Sequence, residues 1–112
     1  MNELSKQKCE VCRAGARLVS REDMNRLKPL VPEWEIIETN GISRLKRAYF
    51  FKNFKEALDF ANQVGLIAEQ ENHHPAILTE WGRVTVEWWT HKIEGLHRND
   101  FIMAAKTDAL MQ

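Results

Sequence analysis

The feature that most constrains the fold is a pair of β-hairpin patterns. Residues 34–38 and 42–51 are rich in β-branched and aromatic side chains, and Asn40-Gly41 lies between them. Both residues of that dipeptide tolerate positive φ, so it favours a tight turn between antiparallel strands. A second pair of strand-like segments, 76–81 and 84–90, surrounds Gly82-Arg83. The sequence therefore predicts an antiparallel sheet of four strands.

The last of these strands has large apolar side chains on both faces. With a period of two residues, one face carries Val84, Val86 and Trp88, and the other carries Thr85, Glu87, Trp89 and His91. Two adjacent tryptophans on opposite faces indicate that neither face is simply solvated. We expect helices on one face and a pocket or a neighbouring subunit on the other.

Helical patterns precede, separate and follow the two hairpins. Ser20 is followed by an acid at Asp23 and predicts an N-cap, and prolines at positions 29 and 32 end that short helix. Asn53 predicts a second N-cap, and the helix after it must end before Pro75. Its apolar stripe consists of Phe54, Ala57, Leu58, Ala61, Val64, Gly65 and Ala68. A last helix is predicted from Leu96 through Ala109.

The order helix, hairpin, helix, hairpin, helix is typical of an α+β domain. We expect a four-stranded antiparallel sheet with three helices on one face. A chain of 112 residues can bury a core without disulfides or metal ions. The prediction is one domain over residues 17–112, preceded by an N-terminal tail over residues 1–16.

The charge balance excludes several classes of partner. Sixteen basic and sixteen acidic residues give a formal net charge of zero, so the chain lacks the basic field that nucleic acid or anionic lipid attracts. Neutrality is compatible with self-association. The sequence shows no apolar segment of signal-peptide or membrane-span length, so we expect a cytoplasmic protein with no membrane partner.

The N-terminal tail contains a CxxC pair, Cys9 and Cys12. A redox pair of this type follows a strand and opens a helix, which this charged segment does not predict. A zinc site needs about four ligands, and the chain has no second cysteine pair. We favour an ordinary reduced tail over a redox or metal role.

Three of the four histidines are expected to meet at one end of the sheet. His73 and His74 precede the third strand and His91 ends the fourth, and these two ends are neighbours in a hairpin. Imidazole both donates and accepts protons near neutral pH, so the trio with nearby Glu69 predicts an acid–base site. Surface or capping histidines, and a zinc site, are the alternatives. Adjacent histidines are awkward ligands for one metal, which makes zinc the weaker of the functional readings.

The spacing of these residues resembles that of the pterin carbinolamine dehydratases. The family signature is an acid, three residues, His-His-Pro, a short gap, an aromatic residue, nine residues, a histidine and a later aspartate. The chain matches it with Glu69, His73, His74, Pro75, Trp81, His91 and Asp100. The resemblance covers about residues 17–110. It departs at His97, where family members usually have the Ser or Thr of a capping box.

The resemblance implies dehydration of a 4a-hydroxytetrahydropterin to a quinonoid dihydropterin, a hydro-lyase reaction that needs no metal or other cofactor. His73 and His91 would be the proton-transfer pair, and His74 would contact the pterin ring. The candidate substrate contacts are Glu69, Pro75, Thr90, Lys92, Trp34 and Trp81. For both tryptophans core packing is the favoured alternative. Asp100 is predicted to have either a structural role at the helix N-terminus or a role beside the site.

The resemblance also implies partners. It implies a homodimer or homotetramer and a functional link to an aromatic amino acid hydroxylase, whose pterin cofactor the reaction recycles. The alternative is a non-enzymatic dimerisation or assembly cofactor, because animal members of the family also bind a homeodomain transcription factor. No signal for such a partner occurs in the chain, and the complete histidine set favours the enzyme.

Overall fold

The sheet contains both predicted hairpins side by side. The computed structural model describes residues 3–9 and 18–111. Strands β1 (Glu35–Thr39), β2 (Ile42–Phe50), β3 (Ala76–Glu80) and β4 (Arg83–Trp88) form one antiparallel sheet in the order β1-β2-β4-β3. Helices α1 (Arg21–Leu27), α2 (Phe54–Glu71) and α3 (Arg98–Ala109) complete the domain. The predicted α+β fold with four strands and three helices is confirmed.

Local sequence signals explain the boundaries of most elements. Asn40 and Gly41 both have positive φ, 53° and 79°, as a tight hairpin turn between β1 and β2 requires. Ser20 Oγ accepts the backbone N–H of Asp23 at 3.0 Å and caps α1. Asn53 caps α2 in the same way, since its Oδ1 accepts the N–H of Glu56 at 2.8 Å.

The core lies between one face of the sheet and the helices. Helices α2 and α3 both contact β4, and α3 also contacts β2. The fully buried residues on this face include Leu45, Val84, Val86 and Trp88. Trp88 also donates its indole N–H to Thr107 Oγ1 on α3 at 3.1 Å, which ties the end of β4 to that helix.

The buried stripe of α2 is rotated from the predicted one. The structure buries Ala57, Ala61, Val64 and Ala68 as expected, but Phe54 and Leu58 are exposed. Phe60 is buried instead, with its ring centre 4.7 Å from that of Tyr49 and 5.2 Å from that of Phe51. This aromatic contact with β2 sets the rotation of the helix, and helical spacing alone could not reveal it.

Helix α3 is buried on nearly every side because an N-terminal segment covers it. A 3-10 turn, Glu3–Lys6, packs against α3, and Leu4 on this turn is 2% exposed. The backbone N–H of Cys9 donates to Glu71 Oε1 at 2.8 Å. Cys12 lies outside the described residues, so the role of the CxxC pair stays a prediction. The domain boundary near residue 17 is likewise a prediction, although residues 3–9 contact the core.

A polar cluster joins the residue before β1, strand β2 and the end of α3. Asp108 Oδ1 accepts hydrogen bonds from the Trp34 indole at 2.9 Å, from Arg47 at 2.8 Å and from the Tyr49 hydroxyl. Burial, reinforced by the hydrogen bond to Asp108, raises the pKa of Tyr49 above its ordinary value of 10.0. The neutral phenol is therefore the form that the folded state requires.

This cluster predicts how the protein unfolds in alkali. Because the folded pKa of Tyr49 is raised, the stability that the neutral phenol contributes is complete below pH 10 and is lost as the pH rises further. Tyr49 is the only tyrosine, so phenolate absorbance reports this side chain alone. We expect phenolate to form only together with loss of circular dichroism, and Tyr49→Phe to flatten the loss of stability above pH 10. Phenolate that forms near pH 10 in a folded chain would contradict this.

Candidate active site

The end of α2 determines where the two adjacent histidines point. Asn72 has the left-handed conformation, φ 53°, and its N–H donates to Ala68 and Glu69 carbonyls. The N–H of His73 also donates to the Ala68 carbonyl, at 3.1 Å. This left-handed cap ends the helix and turns the chain towards Pro75 and β3.

The two histidines point in different directions, as an extended segment predicts. His73 is buried, with 6% of the residue exposed, and its ring stacks on Trp88 at 5.8 Å between centres and 7° between planes. The His74 side chain is 53% exposed, and its Nε2 is hydrogen-bonded to Glu69 Oε2. One imidazole is therefore held in the core and the other at the surface.

Asp100 holds His73 and is itself completely buried. His73 Nε2 lies 2.7 Å from Asp100 Oδ1. Asp100 Oδ2 accepts the Thr90 hydroxyl at 2.8 Å and the backbone N–H of His97 at 2.9 Å. Three donors at one carboxylate suit its ionised form, which can only accept. Asp100 Oδ1 is thus placed to accept the Nε2–H of His73, and an imidazole that donates from Nε2 has Nδ1 as its accepting nitrogen.

His97 replaces the hydroxyl residue of the expected capping box. The imidazole Nδ1 of His97 accepts the backbone N–H of Asn99 at 3.0 Å, and the backbone N–H of His97 donates to Asp100 Oδ2. The imidazole thus acts as the N-cap of α3. The Asp100 carboxylate completes the capping box and also contacts His73, while its role at the site stays a prediction.

A cavity opens at the end of the sheet where these segments meet. Ala76 of β3 lies opposite Glu87 of β4, so the residues before β3 are close to those after β4. The cavity has a volume of about 320 Å³ and is lined by Asn72, His73, His74, Thr90, His91 and Lys92. Its size is at the lower end of the range for small-molecule sites. All three predicted histidines therefore line one cavity, together with Thr90 and Lys92.

Four predicted contacts do not line this cavity. Glu69 bonds to His74 from α2, and Pro75 lies between His74 and β3. Trp34 is buried on Asp108, as its core-packing alternative expects. Trp81 is 70% exposed at the turn between β3 and β4, so the favoured expectation that it packs in the core is wrong.

Sequence reasoning missed one lining residue, Asn72. The sequence did contain a signal for it: Asn72 lies where the helix before Pro75 has to end, and asparagine tolerates the left-handed conformation that ends a helix. Among residues 3–9 and 18–111, no group of three or more His, Cys, Asp or Glu side chains is arranged to hold a metal ion. Over the same residues, no helix has the length and apolar character that a membrane span requires.

Comparisons with known proteins show the family to which the chain belongs. Residues 17–110 match the family described as pterin 4 alpha carbinolamine dehydratase. The chain is 58% identical, over all of its 112 residues, to proteins of Syntrophotalea carbinolica and Nitrosococcus oceani named for pterin-4-alpha-carbinolamine dehydratase. The alignments cover 100% and 99% of those proteins.

A solved structure has the same fold. It is the crystal structure of a transcriptional coactivator/pterin dehydratase from Brucella melitensis, with a TM-score of 0.76 and 29% identity. The match covers 86% of this chain and all of the Brucella chain. The predicted resemblance is confirmed, and the enzymes of this family are hydro-lyases, the predicted class. The chain belongs to the pterin 4 alpha carbinolamine dehydratase family.

Proposed function

We propose that this protein dehydrates a 4a-hydroxytetrahydropterin to a quinonoid dihydropterin by histidine acid–base catalysis. The observation that carries the proposal is that His73 and His91 line the same cavity, with His73 held by Asp100. Membership of the dehydratase family supports the substrate class.

The reaction requires two proton transfers and no change in oxidation state. The bond between C4a and its hydroxyl oxygen breaks, and that oxygen receives a proton and leaves as water. The neighbouring ring N–H loses its proton, and its electrons form the new carbon–nitrogen double bond. Positioned imidazoles perform both transfers, each contributing about 10²–10⁴-fold. We assign His73 and His91 as this pair, one on each of the two chain segments that border the cavity.

The other lining residues would bind the pterin. His74 lines the cavity and is hydrogen-bonded to Glu69, and imidazole and carboxylate suit the donors and acceptors on the edge of a pterin ring. Lys92 and Thr90 border the other side. The neutral substrate needs no strongly basic cleft, in agreement with the zero net charge of the chain.

The proposal also covers the location, the oligomeric state and the metabolic role of the protein. We assign the protein to the cytoplasm as a homodimer or homotetramer that recycles the pterin of an aromatic amino acid hydroxylase. The oligomeric state and the link to a hydroxylase follow from the family resemblance, and the cytoplasmic location is the expectation of the sequence analysis.

A second candidate function is a non-enzymatic one, in which the fold binds a protein partner. It is favoured by the description of the Brucella neighbour, which includes the words transcriptional coactivator. Turnover of a carbinolamine by the purified chain distinguishes the two, because a partner-binding protein without this activity leaves the spontaneous rate unchanged.

Replacing the two proposed proton-transfer residues tests the mechanism. We expect His73→Ala and His91→Ala each to lower kcat by about 10²-fold, since each removes one proton transfer. We expect His74→Ala to raise KM more than it lowers kcat, because this residue is assigned to binding. Loss of the carbinolamine is followed by absorbance.

The matched control is the fourth histidine. His97→Ser keeps a capping side chain and the backbone N–H that Asp100 accepts, so native kcat is expected. Native rates in folded His73→Ala and His91→Ala would refute the assignment.

Asp100→Asn tests the support of His73. The amide offers one acceptor oxygen and one NH₂ to a site with three donors, so one donor is left unpaired in the core. We expect a loss of about 2 kcal/mol in the free energy of unfolding. We expect kcat to fall at least about 10-fold because His73 loses its fixed tautomer.

Asp59→Asn is the control for this variant. The Asp59 side chain is 54% exposed and pairs with Lys55, so the loss in the free energy of unfolding should stay below about 1 kcal/mol. Equal effects of the two variants would contradict the role of Asp100.

A further inference from the structure

The open face of the sheet carries a stack of side chains that ends at His91. Trp89 follows β4 directly and points away from the core that holds Trp88. The guanidinium carbon of Arg44 lies 3.8 Å from the centre of the Trp89 ring. The ring of His91 lies 4.5 Å from the same tryptophan, at 32° between planes. One indole therefore contacts both an arginine on β2 and a histidine of the cavity.

A salt bridge holds the arginine in this position. Arg44 Nη1 lies 3.0 Å from Glu87 Oε1, and the two side chains are only 18% and 23% exposed. Leu45 pairs with Trp88 in the sheet, which brings Arg44 next to Trp89. The Nε of Arg44 is buried and has no hydrogen-bond partner within the described residues. The guanidinium is thus held at Nη1 by Glu87 and lies against the face of the Trp89 indole.

His91 differs from the other two cavity histidines in what fixes its ring. Asp100 holds His73 and Glu69 holds His74 by hydrogen bonds. Within residues 3–9 and 18–111, the His91 imidazole has no hydrogen-bond partner and its ring contact is with Trp89. His91 is also exposed and begins a 3-10 turn, His91–Ile93, beyond the last residue of β4. An exposed side chain outside regular structure samples several rotamers unless a neighbour restricts it.

We propose that Glu87, Arg44 and Trp89 are positioning residues for His91. Trp89 restricts the imidazole to the rotamer that faces the cavity, and Arg44, held by Glu87, restricts Trp89. This inference rests on the proposed function, in which His91 transfers a proton, and it adds three residues that touch no substrate. Misplacement of a reacting group by about 1 Å lowers rates by as much as 10²-fold, so such a stack is sufficient to affect kcat.

The test is a double-mutant cycle between Trp89 and His91. We expect Trp89→Leu to lower kcat about 10-fold with less than about 2-fold change in KM. Trp89→Phe keeps an aromatic face and should restore most of the rate. In the His91→Ala background, Trp89→Leu should have no further effect on kcat, because it acts only through His91. Effects that multiply, or a change confined to KM, would overturn the proposal.

Arg44→Met tests the outer part of the stack. We expect it to lower kcat about 3-fold in the native background. Added to the Trp89→Leu variant, it should have no further effect on kcat. The matched controls are on the same sheet face at its other end: Phe50→Leu, whose aromatic ring is exposed, and Arg83→Met, whose charge pairs with Glu80. Both should keep native kcat. Equal losses in the controls would overturn the proposal.

A spectroscopic measurement separates this proposal from the proposed function. In the native chain, the ring protons of His91 should show an NMR shift caused by the Trp89 ring, and Arg44→Met should alter it while Arg83→Met should not. An unaltered His91 signal in Arg44→Met overturns the positioning role even if the enzyme is active. A folded chain without dehydratase activity refutes the proposed function, whereas the NMR result still decides the role of the stack.

Discussion

The rest of the site depends on the burial of one carboxylate. Asp100 is fully buried, and a charge in that position is tolerated only when hydrogen bonds replace the lost water. Its three donors come from three parts of the chain: His73 after α2, Thr90 after β4 and the backbone of His97 before α3. Removing any one of them leaves the buried carboxylate with fewer donors and lowers the stability of the folded state. Folding thus fixes the orientation of His73 before any ligand arrives.

One of the three cavity histidines is buried and two are exposed. His73 is buried and hydrogen-bonded to a carboxylate, which suits a proton-transfer group of fixed orientation. His74 is exposed and paired with Glu69, which suits recognition of a polar ring edge. His91 lies between the cavity and the stack on the open face of the sheet, so its position is governed by packing. Neither face of β4 is simply solvated: one tryptophan supports His73 and the next contacts His91.

Much of the fold could be predicted because its signals are local. The Asn40-Gly41 turn and the Asn53 cap depend on neighbouring residues only. The pairing of two strands in a hairpin was enough to predict that the three histidines line one cavity, because it requires no information about core packing. Contacts between distant segments could not be predicted. The rotation of α2 follows from Phe60 packing on β2, and a charged N-terminal segment with one buried leucine has no periodicity to indicate that it covers α3. The spacing of Asp100 fits a capping box equally well with or without His73, so its contact with His73 became visible only in the structure.

The proposed mechanism requires that a pterin binds between His73 and His91. The most direct test is a crystal structure of the protein with an unreactive dihydropterin at saturating concentration. We expect the ring inside the cavity lined by Asn72, His73, His74, Thr90, His91 and Lys92, with both imidazoles in contact with it and the Asp100–His73 hydrogen bond intact. A pterin bound elsewhere on the protein, or in the cavity but without contact to either His73 or His91, would refute the proposed mechanism.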